Sequence, residues 1–364
     1  MNIEELETPA LVVDLDILER NISRLADYGR EHHIRIRPHT KTHKIPAIAR
    51  MQIEAGASGI TVAKPGEAEV MANAGLHDIL VAYPVFGQEK WAKLARIAKD
   101  HTLTVGLDAE ETAQGLSAAA AAAGSRIGVL VEFDAGMHRC GVCTSAEVVR
   151  LAQTVDRLPG LHFRGVMFYP GHIWDTPGEQ EKALGQVSQQ LEEVVAELQK
   201  NGLHCEVVSG GSTPTALNSH SIKGVTEIRP GTYVFNDRNT VGVGACTLDD
   251  CALQVVATVV STAVPGRAMI DGGSKTFSSD RWKSGGGSTL GHIQGHPEIE
   301  FTGMSEEHGH LDLHEAAGKI HVGDKLWIIP NHVCACVNMH DVMYFHRNGT
   351  VEGCWPIAGR GKVR

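Results

Sequence analysis

The chain has 364 residues, of which 42% are hydrophobic and 21% are charged, and its formal net charge is -10. These values are ordinary for a globular protein, and the length predicts one large domain or two. The acidic balance and the lack of a long basic run argue against nucleic acid or an anionic membrane surface as a partner.

The N-terminal segment, MNIEELETPALVVD, is acidic and has no basic region followed by an apolar one. It therefore does not have the pattern of a signal peptide. No apolar run approaches the roughly 20 residues of a membrane-spanning helix. The eight cysteines are scattered along the chain, which favours free thiols in the cytoplasm over a disulfide scaffold.

The first predicted elements are a strand over Ala10–Asp14 and a helix over Asp16–Tyr28, with Asp16 as the candidate N-cap. Short runs rich in β-branched residues then alternate with helical stretches. The clearest helix runs from Glu179 to Lys200, because its apolar residues recur three and four positions apart. Eight further strands are predicted at Ile34–Pro38, Gly59–Ala63, Ile79–Tyr83, Thr102–Leu107, Ile127–Phe133, Phe163–Phe168, Cys205–Ser209 and Thr226–Arg229.

Eight strands that alternate with helices predict an α/β fold with a (β/α)8 TIM barrel over residues 16–236. A doubly wound open sheet is the alternative, but it usually carries a glycine-rich phosphate turn after its first strand. That position holds RPHTKTHK instead. After about Asn236, alternating strand-like runs with glycine-rich turns predict a second, antiparallel β domain. We assign residues 1–15 and 237–364 to this domain, so that it includes the strand at Ala10–Asp14.

Lys41 follows the first predicted barrel strand and has imidazoles on both sides, His39 among them. Reactive groups of (β/α)8 barrels lie at the C-terminal ends of strands. A lysine there can form a Schiff base with a carbonyl if desolvation or cationic neighbours release its proton. The alternative is a solvated basic loop, since most lysines are surface charges. Lys64 and Lys275 are rival candidates without the imidazole neighbours.

The loop SGGSTPT, Ser209–Thr215, follows the seventh predicted strand. Adjacent glycines let the backbone approach a ligand, and the loop's hydroxyl and N–H groups can bind an anion. In barrels of this kind the loops after strands seven and eight form the usual phosphate site. The alternative is a tight Gly-Gly turn that caps a helix.

His332 and Cys334 are two positions apart in the stretch NHVCACVN. If this stretch is a strand, both side chains point to one face, and Cys336 shares that face. An imidazole and a thiolate on one face suit zinc better than magnesium or calcium, and two ligands leave positions for water or substrate. The alternative is two buried cysteines beside a hydrogen-bonded histidine.

The motifs taken together resemble a known family. Their order is that of the D-serine dehydratase and D-threonine aldolase family, pyridoxal 5'-phosphate enzymes of the alanine-racemase-like fold. The resemblance runs from about Thr8 to the last strands, and RPHTKTHK combined with H-x-C is its most specific part. The motifs are TPALVVDLDILERNI, RPHTKTHK, GEAEVMANAG, DAGMHRCG, FYPGH, SGGSTPT, EIRPGTYVFND, DGGSKTFSSD, EEHG and PNHVCACVN.

The resemblance implies roles for individual residues. It implies that Lys41 is the Schiff-base lysine, with His39 beside it, and that Arg139 and Tyr169 lie near the pyridine ring of the cofactor. It also implies a homodimer with the site near the subunit interface. The residues implied to hold the cofactor phosphate are Gly210, Gly211, Ser212 and Thr213, with Tyr233 close by, and those implied to hold the metal are His332 and Cys334.

The implied activity is that of a lyase that uses pyridoxal phosphate and a divalent metal on a D-3-hydroxy amino acid. Zinc is the expected metal, with Mn²⁺ or Mg²⁺ as alternatives. H-x-C matches the D-serine dehydratases, whereas several aldolases of the family look like H-x-D, so we expect a D-serine dehydratase that forms pyruvate and ammonia. The alternatives are a D-threonine aldolase, a D-3-hydroxyaspartate dehydratase or aldolase, and a non-enzymatic protein that carries pyridoxal phosphate.

Overall fold

A computed structural model of the chain describes residues 1–282 and 289–364, so residues 283–288 of the expected β domain lie outside the described part. The described residues form two compact units. We call them the barrel unit and the β unit, and the sequence-based domain limits stay a prediction. The barrel unit comprises Ser23–Lys41, Pro46–Gly231 and Gly361–Arg364, and the β unit comprises Met1–Ile22, Thr42–Ile45 and Thr232–Arg360.

The helices begin and end at residues that suit those positions. Gly124, with φ of 65°, ends the alanine-rich helix. The cap of the first helix is Asp14 and not Asp16, because the Asp14 carboxylate accepts the N–H groups of Asp16 and Ile17. No helix in the described ranges is both long and apolar enough to cross a bilayer. The helices are α1 (Leu15–Glu31), α2 (Pro46–Glu54), α3 (Pro65–Asn73), α4 (Gln88–Ile97), α5 (Glu110–Ala123), α6 (Ser145–Arg157), α7 (Glu181–Lys200), α8 (Arg238–Gly242), α9 (Ser274–Phe277) and α10 (Val333–Val337).

The strands fall into two sheets, one in each unit. They are β1 (Ala10–Asp14), β2 (Arg35–Ile36), β3 (Ile60–Val62), β4 (Asp78–Val81), β5 (Thr102–Leu107), β6 (Ile127–Phe133), β7 (Leu161–Phe168), β8 (Val207–Gly210), β9 (Glu227–Ile228), β10 (Leu253–Ser261), β11 (Arg267–Ile270), β12 (Gly291–Ile293), β13 (Glu300–Met304), β14 (Gly309–Asp312), β15 (Lys325–Pro330), β16 (Val342–Arg347) and β17 (Thr350–Pro356).

The barrel unit contains a closed ring of parallel strands. Its order is β2-β9-β8-β7-β6-β5-β4-β3. The ring closes between β3 and the segment after β2, where the N–H of Thr61 donates to the Pro38 carbonyl and the N–H of Thr40 to the Thr61 carbonyl, each over 2.8 Å. The expected barrel with its eight strands is confirmed, and this closure excludes the doubly wound open sheet.

The long helix α7 shows how the sequence pattern builds the core of the barrel unit. Its buried residues recur every three or four positions, so they line one side of the helix and pack into a core shared with the strands. Each such side chain contributes about 1.5–3 kcal/mol when fully buried. The apolar residues of this stripe are Leu184, Val187, Leu191, Val194 and Leu198.

Buried charged side chains also link the strands of the barrel. Nε of Arg37, just after β2, donates to Glu227 on β9, and its Nη1 donates to Asp78 on β4, each over 2.7 Å. Glu227 also accepts the Ser209 hydroxyl over 2.7 Å, and that hydroxyl accepts Nη1 of Arg229 over 2.7 Å. One chain of polar contacts therefore connects β2, β4, β8 and β9.

The β unit is built around the N-terminal strand. β1 pairs antiparallel with β10, with Val12 opposite Gln254, and parallel with β16, with Val12 opposite Tyr344. The sheet runs β13-β14-β11-β10-β1-β16-β17, and β15 pairs with β10 and β12. The place expected for Ala10–Asp14 is confirmed. The expectation of a wholly antiparallel sheet is wrong at β1 and β16, because the chain between them is long enough for a parallel pairing.

Candidate active site

Lys41 lies in a turn that begins where the first barrel strand ends. β2 ends at Ile36, and the N–H of His39, after Pro38, still donates to the Pro230 carbonyl over 3.0 Å. The ring of His39 accepts the N–H of Lys41 at Nδ1 over 3.4 Å, so the backbone turns tightly between the two residues. The Lys41 side chain is half-buried. The lysine is therefore partly shielded from water at the C-terminal end of a strand.

Three of the predicted cofactor residues come together in the barrel unit. Nζ of Lys41 lies 6.0 Å from the centroid of the Tyr169 ring, and Cζ of Arg139 lies 4.7 Å from the same centroid. Tyr169 directly follows β7, and Arg139 lies in the segment after β6. Parallel strands end at one rim of a barrel, which explains why residues so far apart in sequence meet. The two cations and the aromatic ring suit a flat, anionic cofactor.

The rival lysines lie in different surroundings. Nζ of Lys64 lies 3.3 Å from the centroid of the exposed Tyr83 ring. Nζ of Lys275 pairs with Glu307 over 2.6 Å, and this hydrogen bond raises the pKa of Lys275. A raised pKa keeps the amine protonated, which is the opposite of what Schiff-base formation needs.

The SGGSTPT loop is held as a compact turn after β8. A Cβ atom at Gly210 would overlap the ring of Phe168, and Gly211 has φ of 86°, so both positions call for glycine. The N–H of Ser212 donates to Oγ1 of Thr215 over 3.2 Å, and the N–H of Thr215 donates to Oγ of Ser212 over 3.4 Å. The backbone of this loop is therefore ordered by its own hydroxyl groups.

Two further predicted cofactor contacts lie in different units. Thr213 is half-buried in the SGGSTPT loop of the barrel unit. Tyr233 is buried in the 3₁₀ turn Thr232–Val234 of the β unit. Their contact with a cofactor phosphate stays a prediction.

His332 and Cys334 lie at the start of a short helix, not on a strand. β15 ends at Pro330, and His332 is the extended residue before α10, with φ of -140° and ψ of 111°. Cys334 lies in the first turn of that helix. The expected strand is wrong, because the chain enters α10 directly after His332; the N–H of Val333, the first helical residue, donates to the Asp237 carboxylate over 3.2 Å instead of to a neighbouring strand.

Cys336 does not share the surroundings of Cys334, so the expectation of a common face is also wrong. Residues two apart on a helix point roughly 200° apart. The Cys336 side chain is fully buried, its Sγ donates to the Thr276 carbonyl over 3.3 Å, and burial raises its pKa. Sγ of Cys334 instead lies 3.2 Å from Oγ1 of Thr42. Cys334 and His332 remain as the candidate metal ligands.

Asp237, which the motif analysis did not single out, holds the imidazole of His332. Its Oδ2 lies 3.0 Å from Nδ1 of His332. The carboxylate is almost wholly buried, and its Oδ1 accepts the N–H of Thr240 over 2.9 Å. Asp237 ends the motif EIRPGTYVFND, and only the tertiary structure shows that this motif faces the H-x-C pair.

The imidazole and the thiol fit a metal ion. The Cys334 thiolate raises the pKa of His332 to about 11, burial opposes this change, and the hydrogen bond to Asp237 adds to it. Surroundings that stabilise a positive imidazole also favour a metal cation held by the same nitrogen and sulfur atoms. Within residues 1–282 and 289–364, no group of three or more His, Cys, Asp or Glu side chains could hold a metal. A metal on this pair would therefore keep positions for water or substrate.

Two buried charged residues of the barrel strands were not predicted. Glu132 on β6 is 3% exposed, and its Oε2 has no hydrogen-bond partner in the described part of the chain. Burial raises the pKa of Glu132, and the Arg229 guanidinium partly offsets this effect. Nη2 of Arg229 donates to the Phe168 carbonyl over 2.9 Å. No sequence signal separates these residues from the alternation of a barrel strand.

Two family models match the chain. "Alanine racemase, N-terminal domain" matches residues 13–239, and "Putative serine dehydratase domain" matches residues 252–346. The 3-hydroxy-D-aspartate aldolase of Paracoccus denitrificans is 35% identical and covers 100% of this chain and 94% of the relative. The D-threonine aldolase of Arthrobacter sp. is 33% identical and covers 99% of this chain and 94% of the relative. The D-threo-3-hydroxyaspartate dehydratase of Delftia sp. is 35% identical over 91% of both chains, and the D-serine dehydratase of Dictyostelium discoideum is 26% identical over 93% of both.

Solved structures of similar proteins share the whole fold. The Delftia dehydratase superposes with a TM-score of 0.91 at 32% identity and covers 98% of both chains. The D-threonine aldolase of Filomicrobium marinum has a TM-score of 0.90 at 33% identity over 99% of this chain and 97% of the other. Two mutants of D-threo-3-hydroxyaspartate dehydratase replace a histidine and, two positions further on, a cysteine by alanine, and the cysteine mutant is described as metal-free.

Proposed function

The chain belongs to the D-serine dehydratase and D-threonine aldolase family of lyases, and from this premise we propose that it is a pyridoxal-phosphate- and metal-dependent dehydratase of D-3-hydroxy amino acids. The proposal rests on a lysine after the first barrel strand combined with an H-x-C pair at the start of α10. D-Serine is the substrate that we place first, and D-threo-3-hydroxyaspartate is its closest competitor.

Lys41 would hold the cofactor covalently, and the backbone of Gly210 and Gly211 with the Ser212 hydroxyl would hold its phosphate. Pyridoxal phosphate supplies an electron sink for the carbanion at Cα of a bound amino acid. The amine of Lys41, when free, would remove the Cα proton. A guanidinium donates hydrogen bonds and accepts none, so a pyridine nitrogen that faced Arg139 would serve as an acceptor, which would moderate the electron sink.

His332 and Cys334 would hold the metal, with zinc favoured over Mn²⁺ or Mg²⁺ because one ligand is a soft thiolate. Zinc supplies a Lewis acid that makes the β-hydroxyl a better leaving group. Thr42, the residue after Lys41 in the chain, has its hydroxyl 3.2 Å from Sγ of Cys334.

An aldolase is the second candidate, supported by the 35% and 33% identity to two full-length aldolases. In an aldolase a base would remove the hydroxyl proton and the Cα–Cβ bond would break. The H-x-C pair favours the dehydratase, because the two mutants of D-threo-3-hydroxyaspartate dehydratase replace a histidine and a cysteine with the same spacing. A non-enzymatic carrier is disfavoured, since a carrier needs no metal pair.

Product analysis distinguishes these reactions. The purified protein, supplied with pyridoxal phosphate and zinc, is incubated separately with D-serine, D-threo-3-hydroxyaspartate and D-threonine. We expect a 2-keto acid and ammonia in equal amounts, pyruvate from D-serine and oxaloacetate from D-threo-3-hydroxyaspartate, without glycine. Glycine with acetaldehyde or glyoxylate would establish the aldolase instead. No product from any of the three would contradict both reactions.

Reduction with borohydride followed by peptide mapping tests the lysine. We expect the cofactor on the peptide that contains Lys41, no labelling in Lys41→Ala, and undiminished labelling in the control Lys275→Ala. A label on Lys64 or Lys275 would overturn the assignment. The homodimer stays a prediction that light scattering can check against the chain mass of 39.1 kDa.

A further inference from the structure

Asp237 makes more contacts than the cap of a short helix needs. Its Oδ1 accepts the N–H of Thr240 over 2.9 Å and the Thr240 hydroxyl over 3.1 Å, which completes the cap of α8. Its Oδ2 accepts Nδ1 of His332 over 3.0 Å and the N–H of Val333 over 3.2 Å. One oxygen therefore serves its own helix, and the other serves the segment that carries the candidate metal ligands.

The contact at Oδ2 decides which ring nitrogen of His332 is available. A carboxylate accepts hydrogen bonds and does not donate them, so the proton between the two residues lies on Nδ1. The lone pair left on the neutral ring then lies on Nε2. Metal-binding histidines commonly have this second contact, which fixes the ring orientation and raises the basicity of the ligand nitrogen.

The same oxygen also holds the backbone between the two candidate ligands. The N–H of Val333 belongs to the residue between His332 and Cys334, so its bond to Asp237 sets the direction in which the chain enters α10. Sγ of Cys334 has a separate contact with the Thr42 hydroxyl. A change at Asp237 therefore acts on the imidazole and on the turn together.

We propose that Asp237 is the positioning residue of the metal site, because its Oδ2 holds both Nδ1 of His332 and the N–H of Val333. This inference rests on the proposed metal role of His332 and Cys334. It concerns a residue that touches neither metal nor substrate and that acts through the imidazole and the turn. The carboxylate would keep the proton on Nδ1, so that the lone pair of Nε2 would be the one that a cation can use.

Asp237→Asn removes the negative charge of Asp237 and replaces one of its two acceptor oxygens by an N–H₂ donor. If the amide oxygen stays toward Thr240, the amide N–H₂ faces the Nδ1–H of His332 and the N–H of Val333. If the amide turns round, its N–H₂ faces the N–H of Thr240 and the cap is lost. Each orientation sets donor against donor, so we expect the zinc affinity to fall about 10–100-fold, the usual effect of such a change.

The measurement is a zinc affinity from competition with a chromophoric chelator, made on the full chain loaded with pyridoxal phosphate. Asp237→Ser serves as a second variant, because its hydroxyl can still cap α8 but offers no second oxygen to His332. Thr240→Val is the matched control within the cluster, since it loses contacts to Asp237 and leaves the contact of Asp237 with His332. Asp324→Asn is the outer control, because Asp324 lies beside an exposed histidine, His321.

We expect both Asp237 variants to lose zinc affinity while cofactor absorbance is retained, and both controls to keep zinc affinity within about twofold. Zinc affinity unchanged in the folded Asp237 variants would overturn the proposal. A loss in Thr240→Val as large as in Asp237→Asn would also overturn it, because the effect would then be structural.

The wild-type protein offers a test that needs no variant of Asp237. In the zinc-loaded chain labelled with ¹⁵N-histidine, His332 is identified by its absence from the spectrum of His332→Gln. We expect a protonated Nδ1 and a metal-shifted Nε2, and a metal shift at Nδ1 would contradict the inference. If wild-type protein bound no zinc, the proposed metal role would fail. Normal zinc binding through Nδ1 would contradict the inference alone.

Discussion

The side chain at position 334 is expected to decide which metal the site prefers. Cys334→Asp keeps an anionic ligand but replaces a soft sulfur by a hard oxygen, so the preference for zinc over Mn²⁺ should shrink or reverse. The ratio of the two affinities, from metal titrations of the protein loaded with cofactor, measures this change. Cys354→Asp is the control, because Cys354 is exposed on β17. An unchanged ratio would exclude Cys334 as a ligand.

The buried carboxylate of Glu132 is expected to destabilise the folded protein at neutral pH. Burial raises its pKa above the ordinary 4.5, so the folded state holds the proton more tightly than the unfolded chain. Stability therefore falls as pH rises from about 4.5 through the folded-state pKa. Glu132→Gln keeps the shape and removes this penalty, and we expect a gain on the order of 1 kcal/mol at pH 7.

Urea unfolding at pH 4 and pH 7 measures this difference. The gain from Glu132→Gln should be present at pH 7 and small at pH 4. Glu111→Gln on the exposed side of α5 is the control and should change neither value. A loss of stability at pH 7 would mean that the Glu132 carboxylate has a partner that stabilises its charge.

Among the elements, the barrel strands are joined by buried charges as well as by hydrogen-bonded ladders. Glu227 on β9 accepts from Arg37 and from Ser209 on β8. Burial alone would raise the pKa of Glu227, but the Arg37 guanidinium, the Ser209 hydroxyl and the Arg229 guanidinium together outweigh it, and the pKa is lowered. Ionised Glu227 therefore contributes stability above pH 4.5, and this contribution is lost as pH falls through the lower folded-state value.

Glu227→Ala should destabilise the barrel by about 3–5 kcal/mol at pH 7, because it leaves the buried Arg37 with only the half-buried Asp78 as a charged partner. Glu206→Ala is the control, since the exposed Glu206 pairs with Arg164 on β7 and such pairs contribute roughly 0–1 kcal/mol. Urea unfolding measures both. Equal effects of the two substitutions would contradict a special role for the buried network.

In the whole molecule, the candidate ligands belong to the β unit and the candidate lysine to the barrel unit. Trp91 and Trp174 report on the barrel unit, and Trp327 and Trp355 on the β unit. Zinc at 100 times its dissociation constant should raise the free energy of unfolding of the β unit by about 2.7 kcal/mol. Tryptophan fluorescence during unfolding measures this in a variant with Trp91 and Trp174 replaced by phenylalanine, which keeps only the tryptophans of the β unit. Equal shifts from barrel and β-unit probes would mean that the units unfold as one.

Local patterns predicted most of the fold, and they misled at the cap of α1, at the pairing of β1 with β16 and at His332. Short runs rich in β-branched residues predict the eight barrel strands, and apolar residues three and four positions apart predict the long helix α7. The stretch HVCAC suggested a strand, because small apolar residues at alternate positions fit a strand and a helix start equally well. The choice depends on a carboxylate 95 residues away, that of Asp237, and no window around His332 contains it.

The sequence by itself determined the alternation of strands and helices, the breaks at proline and glycine, and the candidates for the chemistry, namely Lys41, His332 and Cys334. The tertiary structure decided which distant residues and strands meet. It places Arg139 beside Tyr169, Asp237 against His332, and β1 between β10 and β16. The physical reason is that periodicity depends on the direction of neighbouring side chains. Contacts between distant residues depend on how the finished elements pack.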